Sequence, residues 1–108
     1  MDDVEISADE AMACFKEKDA VFVDVRDAGS YAESHIPGAI NVTDGNINEF
    51  IEQADTSKHH IIYCYHGNSS RGGAAYFADN GFSMVHSLTE GFTLWSTLFP
   101  DDVESSDD

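Results

Sequence analysis

Residues 64–71 read CYHGNSSR, a cysteine followed by a short polar stretch with a central glycine and then an arginine. The apolar run at residues 61–63 predicts a strand before the cysteine, and residues 72–81 predict a helix that ends at a glycine. A loop between a strand and a helix turns its backbone N–H groups inward, and the first helical turn adds unpaired donors and a partial positive charge. The segment is therefore predicted to bind an anion.

Cys64 stands at the base of this predicted anion site. Hydrogen-bond donors around a thiol stabilise its thiolate, so we expect the pKa of Cys64 to lie below the free value of about 8.5 and the thiolate to act as a nucleophile. The alternative is a buried, unreactive thiol at a strand end, since free cysteine is among the most buried residue types. The polarity and flexibility of Gly67, Asn68, Ser69 and Ser70 argue against it, because these residues are not expected in a core.

Strand and helix patterns alternate along the whole chain. The predicted strands cover residues 4–6, 20–25, 38–42, 61–63 and 84–88. Two predicted helices begin at local caps, one at the capping box of residues 7–10 and one at Asp27. The other predicted helices cover residues 46–53, 72–81 and 91–98. This alternation predicts an α/β fold with a mostly parallel central sheet flanked by helices. Ligands bind at the carboxyl ends of the strands in open sheets of this kind, and Cys64 lies at one such end.

The composition predicts one domain and excludes several classes of partner. The chain has 108 residues, of which 42% are hydrophobic and 11% aromatic, enough for a modest core. We expect a single domain at residues 1–100 and a flexible acidic tail at residues 101–108. Five Lys+Arg against 21 Asp+Glu give a formal charge of −16, which disfavours nucleic acid and anionic membranes.

The chain shows neither a long apolar stretch nor the features of a signal peptide, so we expect a cytoplasmic protein. Cys14 and Cys64 allow at most one disulfide, which a reducing cytosol disfavours, and Cys14 is interpreted as a small core or surface thiol on the first helix. No cofactor and no metal are expected, since His59 and His60 are adjacent and would point to opposite faces of a strand.

Four segments resemble, in order, the signatures of the rhodanese family. They are DVRD at residues 24–27, SHIPGAIN at residues 34–41, the segment that begins at Cys64, and GFTLW at residues 91–95. Within the family, the loop CYHGNSS is similar to that of single-domain bacterial thiosulfate sulfurtransferases of the GlpE type. Ser34 and Glu90 depart from the pattern, because glycine is common in the family at both positions. Asp24, Arg26 and His35 belong to these signatures but are interpreted as structural, and Trp95 as a core residue.

The resemblance implies a two-step sulfur transfer. The Cys64 thiolate would attack the outer sulfur of thiosulfate, release sulfite and keep the sulfur as a persulfide until cyanide or a dithiol such as reduced thioredoxin accepts it. The backbone N–H groups of the loop would hold the persulfide, and the arginine at the helix start would attract the sulfonate end of the substrate. The substrate-binding candidates around Cys64 are therefore Tyr65, His66, Gly67, Asn68, Ser69 and Arg71.

Two other functions remain open. Cysteine phosphatases and arsenate reductases with rhodanese-like folds have five residues between the cysteine and an arginine that grips the oxyanion. Here Ser70 occupies that place and Arg71 follows it, and one helical position turns a side chain by about 100°. A sulfur carrier or interaction module, loaded by a partner protein, would keep Cys64 but would lack turnover with free thiosulfate.

Overall fold

The computed structural model describes residues 4–105. Within this range the strands are β1 (Glu5–Ile6), β2 (Ala20–Asp24), β3 (Ile40–Asn41), β4 (His59–Tyr63) and β5 (Met84–Leu88). They form one parallel sheet in the order β1-β5-β4-β2-β3. The helices are α1 (Ala8–Glu17), α2 (Ala28–Glu33), α3 (Ile47–Gln53), α4 (Asn68–Asp79) and α5 (Gly91–Leu98). The predicted α/β fold with a parallel sheet and flanking helices is confirmed.

Apolar clusters cover both faces of the sheet. Successive residues of the central strand β4 enter opposite clusters, because side chains alternate across a strand. Ile61 packs in one cluster with residues of α1 and α5, and Ile62 packs in the other with residues of α4. Trp95 lies fully buried in the first cluster, where its indole N–H donates to the Asp102 carbonyl at 2.9 Å. The prediction that Trp95 is a core residue is confirmed.

Two helices begin at the caps that the sequence predicts. Ser7 Oγ accepts the Glu10 N–H at 3.1 Å while the Glu10 carboxylate faces the Ser7 N–H, which is the predicted capping box. Asp27 caps α2 by accepting the Ser30 N–H at 3.0 Å. These caps fix the directions in which α1 and α2 leave the carboxyl edge of the sheet.

The structure differs from the prediction at α4 and β3. Helix α4 begins at Asn68 and not at residue 72, and β3 has two residues where five were expected. Asn and Ser are poor helix formers, so the sequence pattern assigned residues 68–71 to a loop. Gly67 precedes the helix with φ +91°, a left-handed conformation that favours glycine. The polar segment after Cys64 is therefore mostly the first turn of a helix.

The two departures from the family pattern have different backbone consequences. Ser34 has an extended backbone with φ −169°, which any residue adopts. Glu90 has φ +59° and lies directly before α5, in the left-handed region where glycine is favoured. A glycine at residue 90 would therefore relieve strain, whereas one at residue 34 would relieve none.

The acidic C-terminal segment contacts the domain up to residue 105. His35 and Glu104 exchange two backbone hydrogen bonds of 2.8 and 2.9 Å, and Val103 packs against the apolar cluster that contains Trp95. The hydroxyl of Ser105 donates to the Ala32 carbonyl at 3.1 Å. This part of the segment differs from the solvated tail that its charge predicts, because backbone and apolar contacts attach it. Residues 106–108 lie outside the described range, and for them a flexible end stays a prediction.

No helix in the described part of the chain combines the length and the apolar character needed to cross a bilayer.

Candidate active site

Cys64 follows β4 directly at the carboxyl edge of the sheet. Its carbonyl oxygen accepts the Phe92 N–H at 2.8 Å, and the Tyr65 carbonyl accepts the Thr93 N–H at 3.0 Å. The first turn of α5 therefore fixes the backbone on which the thiol stands. A cleft of about 250 Å³, here called the Cys64 cleft, opens over the cysteine and is lined by Val25, Arg26, Asp27, Cys64, Tyr65, His66, Asn68 and Ser69.

Groups of Gly67 and Ser70 lie close to the Cys64 sulfur. The Gly67 N–H donates to Sγ at 3.1 Å and the Ser70 N–H donates to it at 3.4 Å. The Ser70 hydroxyl lies 3.4 Å from Sγ and 2.7 Å from the hydroxyl of Ser87. When the thiol is ionised, Ser70 can donate to sulfur while it accepts from Ser87. Donors at the start of α4 are therefore placed to stabilise a thiolate on Cys64.

These donors decide the acidity of the thiol. Burial alone raises the pKa of Cys64, but the hydrogen bonds of the Ser70 hydroxyl and of the Ser70, Gly67 and His66 N–H groups outweigh it, and the resulting pKa lies below the ordinary value. The predicted direction of the shift is confirmed. Cys64 is thus more ionised at neutral pH than a free thiol and correspondingly more nucleophilic.

We expect Ser70→Ala to move the pH profile of Cys64 alkylation to higher pH. The hydroxyl stabilises the thiolate, so its removal raises the pKa and lowers the alkylation rate at pH 7 by about threefold to tenfold. The measurement is the rate of iodoacetamide alkylation from pH 5 to 10, followed by intact mass. Ser69→Ala is the matched control, because Ser69 lines the cleft while the sulfur contacts come from Gly67 and Ser70. Unchanged profiles in both variants would contradict this role of Ser70.

Ser70 and Gly67 correct one inference from the sequence. Both residues are buried, and Ser70 has no exposed surface, although their polarity argued against a place in the core. The reason is that Ser70 exchanges hydrogen bonds with Cys64 and Ser87, which offset its loss of water. Sequence reasoning missed this functional residue. The signal that could have found it is helical geometry, since a helix that starts at residue 68 points the N–H groups of its first turn back at the cysteine.

The other predicted site residues fall into two groups. The structure brings Tyr65, His66, Asn68 and Ser69 to the cleft together with Cys64. Arg71 is exposed and lies outside the set of residues that line the cleft. Its guanidinium faces the Glu5 carboxylate at 3.4 Å and the Asn68 amide oxygen at 3.2 Å. The helix turns this side chain away from the cleft, and a role of Arg71 toward the substrate stays a prediction.

Arg26 lines the cleft instead and is paired with Asp24. Its guanidinium donates to both carboxylate oxygens of Asp24, with the shortest contact at 2.7 Å, and to the Ser34 carbonyl at 2.6 Å. It also lies over the rings of Tyr65 at 4.8 Å and Phe92 at 4.4 Å. The structural interpretation of the Asp24–Arg26 pair fits this geometry. Arg26 holds the loop residue Tyr65 against α5, and Asp24 compensates its charge.

Cys14 and His35 lie apart from these sulfur contacts. Cys14 is partly buried on α1, where burial and the nearby charges of Asp19, Glu17 and Glu10 raise the pKa of its thiol. His35 is buried and bonded to Glu104 at 3.1 Å, in keeping with a structural role. Among residues 4–105 no three His, Cys, Asp or Glu side chains come close enough to hold a metal ion.

Comparison with known proteins decides the family. The family model of the rhodanese-like domain matches residues 7–98. The chain belongs to the rhodanese-like domain family. The match includes strands β2 to β5, the Cys64 cleft and the first turn of α5, so the resemblance of the four short signatures extends over nearly the whole described domain.

Two bacterial relatives of this rhodanese-like domain carry the same name. Thiosulfate sulfurtransferase GlpE from Pseudomonas fluorescens is 49% identical over 90 residues, which are 83% of each chain. Thiosulfate sulfurtransferase GlpE from Pseudomonas savastanoi pv. phaseolicola is 43% identical over 93 residues, which are 86% of this chain and 88% of the relative. The similarity thus covers most of both proteins.

Solved structures show the same fold. A Bacillus halodurans protein is 29% identical with a TM-score of 0.79, over 94% of this chain and 77% of that one. A Rhodopseudomonas palustris protein, described as a possible tyrosine phosphatase, is 26% identical with a TM-score of 0.76. The match covers 89% of this chain and 81% of that one. The rhodanese-like domain of an Anabaena protein reaches a TM-score of 0.84 over 96% of this chain and 80% of that one, and at 18% identity it supports the fold alone.

Proposed function

We propose that this rhodanese-like domain is a thiosulfate sulfurtransferase, which moves sulfane sulfur from thiosulfate to cyanide or a thiol through a persulfide on Cys64. The observation that carries the proposal is the Cys64 sulfur at the base of an open cleft, bonded to the Gly67 and Ser70 N–H groups and near the Ser70 hydroxyl. The GlpE relatives, similar over most of both chains, support thiosulfate as the donor.

In the first step the Cys64 thiolate attacks the outer sulfur of thiosulfate. The S–S bond of thiosulfate breaks, its electron pair leaves with sulfite, and a new S–S bond joins the outer sulfur to Cys64. The persulfide anion carries one negative charge and sulfite carries two, which balances the charge of thiolate and thiosulfate. Preorganised N–H donors suit such an anion, because they require no rearrangement during the reaction.

The residues around the cysteine take different parts in this step. We assign the backbone N–H groups of residues 65–69 to the persulfide, and the side chains of His66, Asn68 and Ser69 to the rim that the substrate passes. No general base is required, since hydrogen bonds already lower the pKa of Cys64. Arg71 acts on an anionic substrate only at a distance, because its guanidinium faces Glu5.

In the second step a nucleophile takes the outer sulfur and Cys64 leaves as the thiolate. Cyanide gives thiocyanate, and a dithiol such as reduced thioredoxin gives a protein persulfide that its second thiol can resolve. Acceptors of this kind are kept reduced in the cytoplasm, which is where we place the protein.

A cysteine phosphatase is the second candidate, suggested by the Rhodopseudomonas palustris neighbour. Position 70, where the oxyanion-gripping arginine of that class would stand, holds a buried serine bonded to Cys64 and Ser87. Arg71 points to the outside of the domain. The N–H donors alone leave a phosphoryl group without its cationic partner, so the geometry favours sulfur transfer.

We expect incubation with thiosulfate to add one sulfur, about 32 Da, to Cys64 in the intact protein. Thiosulfate and cyanide together should then give thiocyanate over many turnovers, while hydrolysis of p-nitrophenyl phosphate stays undetectable. A sulfur carrier or interaction module would give no turnover from free thiosulfate. Faster release of nitrophenol than of thiocyanate would overturn the proposal in favour of a phosphatase.

A further inference from the structure

The Cys64 cleft continues into a second arm. This arm has a volume of about 340 Å³ and shares Val25, Arg26, Asp27 and Ser69 with the cleft. It extends away from the cysteine to Val42, Thr43, Asp44, Ile47 and Gly73. Thiosulfate is a small ion of five heavy atoms, for which the part of the cleft next to Cys64 suffices. The second arm is therefore free for the molecule that collects the sulfur.

The charges around the two arms are predominantly negative. Asp27 and Asp44 are exposed and line the second arm, and Asp27 also lines the Cys64 cleft. The hydroxyl and N–H of Ser30 hydrogen-bond to the Asp27 carboxylate and lower its pKa, so it stays ionised at neutral pH. Both carboxylates are thus placed where an incoming acceptor passes.

No lysine or arginine offsets these carboxylates, and all five such residues of the sequence lie within the described range. Arg26 is paired with Asp24 and has almost no exposed side chain, and Arg71 faces Glu5. The three lysines lie near the end of α1 and before β4, which is the amino edge of the sheet and hence the edge opposite Cys64. An approaching molecule therefore meets uncompensated negative charge at the cleft.

We propose that the sulfur acceptor carries a positive charge close to its thiol, and that Asp27 and Asp44 select it. The proposal rests on the sulfur transfer proposed above and names the class of the second substrate. The apolar side chains of Val42 and Ile47 line the same arm and suit the short aliphatic segment that separates the thiol from the cation. A small aminothiol, or a protein cysteine next to a lysine or arginine, has this chemistry.

The transfer itself is an exchange without net oxidation. The acceptor thiolate attacks the outer sulfur of the Cys64 persulfide, a new S–S bond forms on the acceptor, and the old S–S bond breaks. The electron pair of that bond returns to Cys64 as its thiolate, and the outer sulfur leaves with the acceptor as a persulfide. The acidic residues take no part in these bonds. They raise the local concentration of cationic acceptors and lower that of anionic ones.

Three small thiols of different charge test the proposal: cysteamine, 2-mercaptoethanol and thioglycolate. Cys64 is first loaded with sulfur, and the loss of about 32 Da from the intact protein is then followed in a single turnover. The quantity compared is the ratio of the rate with cysteamine to the rate with thioglycolate, and 2-mercaptoethanol serves as the neutral reference. Intrinsic differences between the thiols cancel when the ratio is compared between variants.

In the Asp27→Asn/Asp44→Asn variant we expect the ratio to fall by about fivefold to tenfold at low ionic strength, and by much less in about 0.5 M salt. Asparagine still caps α2, so the fold should persist, and Asp44→Asn alone leaves that cap untouched. Glu17→Gln/Asp79→Asn is the matched control, because it removes the same charge at the C-terminal ends of α1 and α4. Its ratio should change less than about twofold.

The outcome separates this inference from the proposed function. If thiosulfate does not load Cys64, that result counts against the proposed function. Cys64 is then loaded with inorganic polysulfide, and the rates with the three thiols are compared between variants in the same way. If Cys64 is loaded but the ratio of the cysteamine rate to the thioglycolate rate is the same in the Asp27→Asn/Asp44→Asn variant and the wild type, then Asp27 and Asp44 do not select the acceptor and the proposal is overturned. An equal fall in that variant and the control variant would mean that net charge acts, and would overturn it as well.

Discussion

Replacing Cys64 by serine is expected to abolish sulfur transfer, to below about 0.1% of the wild-type rate of thiocyanate formation. Serine keeps the size of the side chain, but its hydroxyl does not ionise at neutral pH and cannot carry sulfane sulfur. The hydrogen bonds that lower the pKa of Cys64 are arranged around a thiolate and give an uncharged hydroxyl no comparable activation. Thiocyanate formation from thiosulfate and cyanide measures the loss.

Cys14→Ser is the matched control for this experiment. Cys14 is a partly buried thiol on α1 whose pKa is raised, mainly by burial and then by acidic neighbours, so it has little thiolate at neutral pH. We expect this variant to keep most of the activity, with the sulfur of the loaded protein found on Cys64 by peptide mass. A comparable loss in the two variants would show that both thiols are required and would contradict the assignment of Cys64 as the sole carrier.

The second large effect is expected from Gly91→Ala, at the first residue of α5. A Cβ atom at this position would lie 2.4 Å from the Cys64 carbonyl oxygen and 2.6 Å from that of Tyr65, and the backbone has φ +60°. Neither oxygen can move away, because both accept hydrogen bonds from the same helical turn. We expect the free energy of unfolding in urea to fall by about 3 kcal/mol or more, from the combined clash and strained backbone.

Two other glycines separate these causes. Gly81 has φ +95°, and a Cβ atom at this position would meet no other atom within 4 Å, so Gly81→Ala should cost only the strained conformation. That cost is about 1 kcal/mol. Gly72 lies within α4 with open space around it, and Gly72→Ala should raise the stability by up to about 1 kcal/mol. If Gly91→Ala destabilises no more than Gly81→Ala, the close approach of α5 to the Cys64 carbonyl is not rigid.

Local patterns predicted the elements that depend on local chemistry. The Ser7 capping box, the Asp27 cap and the apolar run of β4 each act within a few residues of sequence, and the structure has all three. The place of Cys64 at a strand end, with donors around its sulfur, followed from the same reasoning. The lowered pKa of its thiol agrees with that expectation.

What the sequence did not reveal depends on partners far along the chain. Ser70 is buried because Ser87 of β5 completes its hydrogen bonds, and the arginine that reaches the cleft is Arg26 because Asp24 and Phe92 hold it there. Charge alone predicted a solvated end after residue 100. The Trp95 indole N–H and the His35 backbone needed partners, and the C-terminal segment supplies them.

Because α5 anchors the backbone of Cys64, the bound sulfur stays in one place and is not carried from one site to another. With the Cys64 and Tyr65 carbonyls both bonded to Phe92 and Thr93, only rotation of the cysteine side chain can move the bound sulfur atom. Donor and acceptor must therefore visit the same opening in turn, and neither can be served while the other occupies it. Because Cys64 is only 7% exposed and lies at the base of the cleft, any molecule that gives or takes the sulfur must enter the cleft to reach it.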